Sequence, residues 1–321
     1  MKLIVQIPCL NEEKTLPLTV RDIPRDIPGV DKVELLVIDD GSRDMTVEVA
    51  RELGVEHIVS FSRNKGLAKA FAAGIDTCLK LGADIIVNTD GDNQYCGQDI
   101  PKLIQPVLKG EADIVVGDRE VEKIAHFSFI KKKLQKFGSW VVRQVSYTNI
   151  PDTTSGFRAF SREAALRINV ISPYTYTLET IIQAGQKGMA VTHVPIRTNE
   201  KLRESRLFTS IRNYVIKSTI SIIRTHTMYQ ALRVFFSIGF LVFMGGFLIG
   251  ARFLYFFFTN QQPYGHIQSL ILAAVLLITG FQVMLIGLLA DVISANRKLI
   301  EDILYRVKGM ELSSMRQDKK E

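Results

Sequence analysis

Two stretches carry no charged residue for longer than the core of a water-soluble domain ordinarily needs. Val234 to Ala251 is eighteen residues, continued past Arg252 by FLYFFF to Phe258, and Ile267 to Ala290 is twenty-four. A helix crosses the hydrocarbon of a bilayer in about 20 residues, so both stretches qualify as transmembrane helices. They predict a hairpin over 231–292, its arms at about 232–258 and 267–290. The alternative, two neighbouring core helices of a soluble domain, would need both to be apolar all round. Gly245, Gly246 and Gly250 are where the arms are expected to approach each other. The loop between them, TNQQPYGH, has no Lys or Arg, whereas eight lie between Arg197 and Arg233 and seven follow Asn296. Basic flanks stay in the cytoplasm, so the chain reads as an integral membrane protein with its loop outside and both termini inside. Arg252, near the outer end, can snorkel to the headgroups. Residues 293–321 form a basic cytoplasmic tail, linker-like after Lys308.

The rest of the chain is of another kind. A mean hydropathy of +0.13 alongside 73 charged residues describes a chain divided between polar and membrane sequence. The net charge of +7 comes from basic residues crowded around the apolar runs, which favours an anionic membrane over nucleic acid as partner. Cys9, Cys78 and Cys96 are scattered, without CxxC or a nearby His, which excludes a disulfide framework or zinc site and fits a reducing compartment. Pro8 stops the first apolar run too early for a signal peptide, so MKLIVQIP reads as a strand.

KLIVQIP, VELLVID, HIVSF, ADIIVN and ADIVVG are β-branched runs suited to a buried, mostly parallel sheet. Helices are expected over Asp44–Leu53, Gly66–Leu81 and Gln98–Lys109, closed by Gly54, Gly82 and Gly110. The order βαβαβαβ gives a doubly wound α/β domain over 1–205. Residues 124–147 and 206–230 interleave aromatic and aliphatic residues with Lys and Arg, the pattern of helices lying in the headgroup plane, although packing on the sheet with a solvated basic face is the plainer alternative.

In an open α/β sheet, ligands bind beyond the carboxyl ends of the strands. Four strands here end in polar clusters: Pro8-Cys9-Leu10-Asn11-Glu12-Glu13, Asp39-Asp40-Gly41-Ser42, Arg63-Asn64-Lys65-Gly66 and Asp90-Gly91-Asp92-Asn93-Gln94. Asp90 and Asp92, two apart in an extended segment, project to one side and can share an ion. Mg²⁺ and Mn²⁺ are commonly held by one or two carboxylates plus substrate phosphates, and Gln94 offers a further oxygen. Asp39 and Asp40 could cap the next helix or accept from a nucleobase or ribose. Neither GxGxxG after the first strand nor GxxxxGK[ST] occurs, which removes dinucleotide and P-loop readings.

PCLNEE, IDDGSRD, RNKGLAKAFAAGI, NTDGDNQY, VVGDR and DTTSGFRAF, in this order, closely resemble the family-2 glycosyltransferases of GT-A fold, particularly polyprenyl-phosphate glycosyltransferases similar to dolichyl-phosphate mannose or glucose synthase. The resemblance runs from Met1 to about Arg233, and the hairpin resembles the anchors of that group. It implies a Rossmann-like, mostly parallel GT-A domain followed by interfacial helices and the transmembrane hairpin. It also implies roles. Pro8, Leu10 (where relatives carry Tyr) and Glu12 fall at the nucleotide; Asp39 or Asp40 binds base or ribose. Asp90 positions the donor, and Asp92 with Gln94 holds Mg²⁺ or Mn²⁺. Arg119 matches an Arg on the acceptor phosphate. Ser155 and Arg158 belong to a signature near sugar and acceptor, Arg203 to a basic loop over the site, and Lys133 lies near an acceptor-side Arg.

The implied reaction moves a hexose from a UDP- or GDP-sugar to an undecaprenyl or dolichyl phosphate, with inversion. A lipid phosphate is largely ionised at neutral pH, so no general base is required; Glu179 is the nearest candidate if one exists, and otherwise orients an Arg. A processive synthase would carry more membrane helices and a QxxRW motif, absent here. A lipid-hydroxyl or glycan acceptor, a non-catalytic nucleotide-binding membrane protein, and a homo-oligomer stay open.

Overall fold

The computed structural model describes residues 1–120, 129–172, 175–200, 211–259 and 267–317, with backbone alone for 129–137, 211–214 and 316–317. The five expected strands form: β1 (Lys2–Cys9), β2 (Lys32–Asp39), β3 (His57–Ser60), β4 (Ile85–Asn88) and β5 (Ile114–Asp118). Two shorter ones, β6 (Arg158–Ser161) and β7 (Val191–Pro195), complete a seven-stranded sheet in the order β3-β2-β1-β4-β6-β5-β7. All neighbours are parallel except β6, which runs antiparallel to both β4 and β5.

Because side chains alternate across a strand, the apolar runs feed two cores at once. Leu3, Val5, Ile7, Leu35, Val37, Ile85, Val87 and Val115 pack on one face with α1 (Leu16–Asp22), α2 (Thr46–Glu52) and α4 (Ile100–Leu108). Ile4, Leu36, Ile38, Ile86, Ile114, Val116 and Phe160 pack on the other with α3 (Leu67–Lys80), α6 (Arg162–Arg167) and α7 (Thr177–Gln186). Helices on both faces make this the doubly wound, mostly parallel α/β fold. Gly54, Gly82 and Gly110 sit at positive φ just past α2, α3 and α4, as helix-ending glycines do. Asp44 differs from expectation. Its carboxylate accepts from Thr46 N and Glu13 N, so it ties two loops together, and the residue at the cap position is Met45.

Between β5 and β6 lies α5 (Phe129–Ser146), and after β7 comes α8 (Ile211–Tyr229). They fall within the two basic amphipathic segments. Trp140, Tyr147, Ile216, Ile220 and Ile223 are exposed.

Residues 224–304 form a unit of their own, containing α9 (Ala231–Phe258) and most of α10 (Ile267–Gln317). Both helices are long and apolar enough to cross a membrane, and little of either apolar window is covered by protein. A Cβ on Gly239 would meet Met284 and Gly280, one on Gly246 would meet Ala273, Leu276 and Leu277, and one on Gly287 would meet Phe235. The pairings run in opposite order along the two helices, which are therefore antiparallel and touch through small residues. Of the three glycines expected there, Gly246 is at the contact. Gly245 faces open space, and a Cβ on Gly250 would only reach ordinary contact with Ala273.

The expected linker-like tail is a correction. α10 continues without a break to Gln317, and its residues from Tyr305 on belong to the same unit as the sheet. Tyr305 donates to Glu163 Oε2 at 3.1 Å, Lys308 donates to Asn169 Oδ1 at 3.2 Å, and Leu312 is buried in the core cluster that also holds residues of α3 and α6. Their spacing of three and four places them on one helical face, so a run that looks merely charged carries a docking stripe.

Candidate active site

The loops after β1 and β2 are sewn together. Asn11 N donates to Ser42 Oγ and Arg43 N to Asn11 Oδ1, each at 2.8 Å, while Glu12 N donates to Thr46 Oγ1. Pro8 and Glu12 are buried, Leu10 half-buried, and Thr15 Oγ1 donates to Glu12 Oε2 at 2.6 Å. The two acids ending β2 then take different tasks. Asp40 accepts from Lys65 N at 2.7 Å and Gly66 N at 2.9 Å, one through each carboxylate oxygen, and so fixes the turn into α3. Asp39 accepts only from Ser42 N, leaving its second oxygen without a partner among the described residues. Gly41 makes this possible: at φ +76 its missing Cβ would lie 2.6 Å from the carbonyl carbon of Arg63.

Asp90 and Asp92 follow β4 at the same edge. Asp92 Oδ1 accepts from Gln94 N at 3.2 Å, and Asn93 between them adopts φ +56. That turn is held from outside by Asn199, whose Nδ2 donates to Asn93 O and Tyr95 O and whose N–H donates to Gln94 O. Gln94 thus has both backbone groups engaged and its side-chain amide unpaired among the described residues. Asp90 backs onto the 153–156 turn, where a Cβ on Gly156 would sit 3.2 Å from each of its oxygens. Beneath runs a buried relay. Gln6 donates to Asn88, Asn88 to Gly156 O and Tyr176 Oη, and Gly156 N donates to Tyr95 Oη. Burial pushes both tyrosines well above their usual range, so both phenols stay protonated.

The donor set fits a hard divalent ion. Asp90 and Asp92 lie two residues apart just past β4, and among the described residues no group of three or more His, Cys, Asp or Glu forms a closed cage. Such a site suits Mg²⁺ or Mn²⁺ whose remaining positions go to phosphate oxygens and water.

Across the edge, Arg119 follows β5. Its Nε and Nη2 clasp Asp152 at 2.7 and 2.9 Å, and Nη2 also donates to Thr154 Oγ1 at 2.9 Å. Burial alone would lower the Arg119 pKa and raise that of Asp152; the opposite charge outweighs burial in each, so Arg119 is raised and Asp152 held below the carboxylate range.

Arg158 is a correction. It is fully buried, and it donates to Ser155 O, Thr177 O, Thr180 Oγ1 and Thr153 O at 2.6–2.8 Å. Alternation on β6 puts it with Phe160 on the face covered by α3, α6 and α7, beneath the edge, where no substrate reaches it. Burial pushes its pKa down to about 10. Glu179 is another: its carboxylate accepts from Ile171 N, Ser172 N and Gln183 Nε2, so it holds a loop, and among the described residues it orients no arginine. Ser155 is buried, its hydroxyl unpaired among the described residues. Arg203 and the side chain of Lys133 lie outside the described residues. Asp152, Asn199 and the Gln6–Asn88 relay went unread in the sequence; only the Asp opening DTTSG carried a signal.

A seven-stranded, mostly parallel sheet gathering Asp39, Asp90 and Asp92 on its carboxyl edge defines a GT-A glycosyltransferase. The fold matches that of Mycobacterium tuberculosis glucosyl-3-phosphoglycerate synthase, crystallised with Mg²⁺ and UDP, at a TM-score of 0.54 and 22% identity over 69% of this chain and 79% of that one. The chain belongs to glycosyl transferase family 2, whose model matches residues 4–168. It is 30% identical to a polyprenol monophosphomannose synthase of Mycolicibacterium smegmatis, over 62% of this chain and 77% of the relative. To a UDP-N-acetylglucosamine–dolichyl-phosphate N-acetylglucosaminyltransferase of Methanococcus voltae it is 29% identical, over 60% and 83%.

Proposed function

We propose that this enzyme transfers a hexose from a UDP- or GDP-sugar to a polyprenyl phosphate, with inversion, at the cytoplasmic face of the membrane. One observation carries it: the same chain joins an acidic sheet edge, Asp39 and the Asp90–Asp92 pair following β2 and β4, to two helices apolar enough to cross a bilayer. Relatives named for polyprenol and dolichyl phosphate support the acceptor class.

Asp39 receives the base or ribose, with Pro8, Leu10 and Glu12 beside it, while Asp40 keeps the neighbouring loop in place. Asp90 and Asp92, with Gln94, hold Mg²⁺ or Mn²⁺, which when bound neutralises charge on the leaving diphosphate as a Lewis acid. On the acceptor side, Arg119 has spent Nε and Nη2 on Asp152 and Thr154 and offers Nη1; Arg203, Lys133 and the Ser155 hydroxyl add to it. An oxygen of the lipid phosphate attacks the anomeric carbon, the bond from that carbon to the diphosphate oxygen breaks, and its electron pair leaves with the nucleoside diphosphate. An α-linked donor gives a β-linked product. No proton moves, so no base is needed, which agrees with the commitment of Glu179 to backbone N–H groups. A lipid-hydroxyl acceptor would need a base, and Glu179 does not supply one.

The test is purified protein in detergent with Mg²⁺ or Mn²⁺, undecaprenyl and dolichyl phosphate, and a panel of UDP- and GDP-sugars. One donor should yield an acid-labile sugar-phosphate lipid. Metal-dependent nucleotide release without that lipid would refute the acceptor assignment.

A further inference from the structure

α10 is about 76 Å long at 1.5 Å per residue, far more than a bilayer needs. Beyond its charge-free stretch, it carries a second apolar stripe. Ile293, Ile300, Ile303, Val307 and Met310 are between 47% and 68% exposed. With exposed Asn296 they repeat at spacings of three and four: 293, 296, 300, 303, 307, 310. That is a coiled-coil heptad, with Ile293, Ile300 and Val307 at the first core position and Asn296, Ile303 and Met310 at the second. Ile286 and Leu289, also exposed, continue it backwards into the apolar stretch. Tyr305 and Leu312, which pack on the catalytic unit, occupy the opposite side of the same helix, so the docking face and the exposed stripe do not compete.

A bilayer does not account for this stripe. Ile300 is about 15 Å and Met310 about 30 Å along the helix past Ala290, where the charge-free stretch ends. We infer that the stripe is covered by α10 of a second copy of this chain, in a parallel two-helix seam. The inference rests on the reading that the 267–290 stretch crosses the membrane. Copies inserted with one topology hold α10 parallel and at one depth, which supplies the orientation and register that a heptad seam requires. In that register, exposed Arg306 at the edge of one helix faces exposed Glu311 of the other, the opposite-charge pair of a parallel coiled coil. Glu311 also lies 3.6 Å from Lys80 of its own chain, a loose contact. A seam of under three heptads is weak alone, but confinement to one membrane raises its effective concentration.

Single cysteines at Ile303, Val307 and Met310, and at Lys298 on the opposite side, test this in full-length protein in native membranes, with wild type controlling for the three buried native cysteines. Alkaline carbonate extraction first establishes insertion; loss of the protein to the supernatant would count against the membrane reading itself. With insertion established, mild oxidation should give at least about fivefold more covalent dimer at the three seam positions than at 298. Ile300→Glu with Val307→Glu should halve the particle mass in detergent at unchanged melting temperature. Equal crosslinking at all four positions, a single-chain mass for the wild type, or quenching of seam probes by bilayer-embedded quenchers overturns the proposal.

Discussion

The β1–β2–β4 half of the sheet and the β5–β6 half handle charge in opposite ways at the same carboxyl edge. On the first, the acids sit in short turns and accept from backbone N–H groups: Asp40 through both oxygens, Asp92 from Gln94, and Asp39 from Ser42, its second oxygen without a partner among the described residues. On the second, the arginines are consumed by the protein: Arg119 by Asp152 and Thr154, Arg158 by three carbonyls and a hydroxyl. One half presents carboxylates at the edge; the other spends most of its guanidinium donors on holding the turn that backs Asp90. A charged residue's place in a motif therefore says less about its task than the partners its own fold has assigned to it.

The sharpest break of this contrast is Asp92→Asn. It should lower turnover by roughly a thousandfold at unchanged circular dichroism and melting temperature. Near wild-type turnover would remove the metal from this half. Arg158→Met should do the reverse, costing about 3 kcal/mol or more of stability because four buried acceptors lose their donor. Calorimetry reads it, and an unchanged melting temperature with lost activity would return Arg158 to the substrate.

Arg119→Met should destabilise by about 3 kcal/mol through the stranded Asp152 carboxylate, and Arg119→Met with Asp152→Leu by clearly less. The same pair predicts a pH dependence. Asp152 is held below its usual range in the folded state, so its contribution is complete above the unfolded carboxylate pKa of about 4 and is lost as pH falls through the lower folded value. Melting temperatures from pH 7 to 3 should fall more steeply in the wild type than in the double variant; parallel curves would contradict the assignment. The smallest effect expected is Asn199→Ala, which should weaken Mn²⁺ binding with nucleotide by about 1 kcal/mol at little change in melting temperature. Unchanged Mn²⁺ affinity would leave Asn199 a purely structural clasp.

Much of the catalytic unit was legible because its signals are local. Five strands were readable as β-branched runs, and three helix ends as Gly54, Gly82 and Gly110. β6 and β7 were not: RAFS is four residues opening on an arginine, and β7 is a half-exposed strand at the sheet's margin. DGD after a buried strand pointed to the donor edge. Nothing local distinguished Asp39 from Asp40, since the difference lies in the backbone N–H groups of Lys65 and Gly66, about 25 residues away.

By itself the sequence determined the class of fold, the two apolar helices and the acidic loops, because hydrophobic period, chain reversal and carboxylate spacing are all properties of neighbouring residues. Only the tertiary structure decided which charges remain available. Burial and pairing depend on what other segments bring: Asp152 to Arg119, the carbonyls of Thr153, Ser155 and Thr177 and the Thr180 hydroxyl to Arg158, and α3 and α6 to a helix end that alone looks like a charged tail.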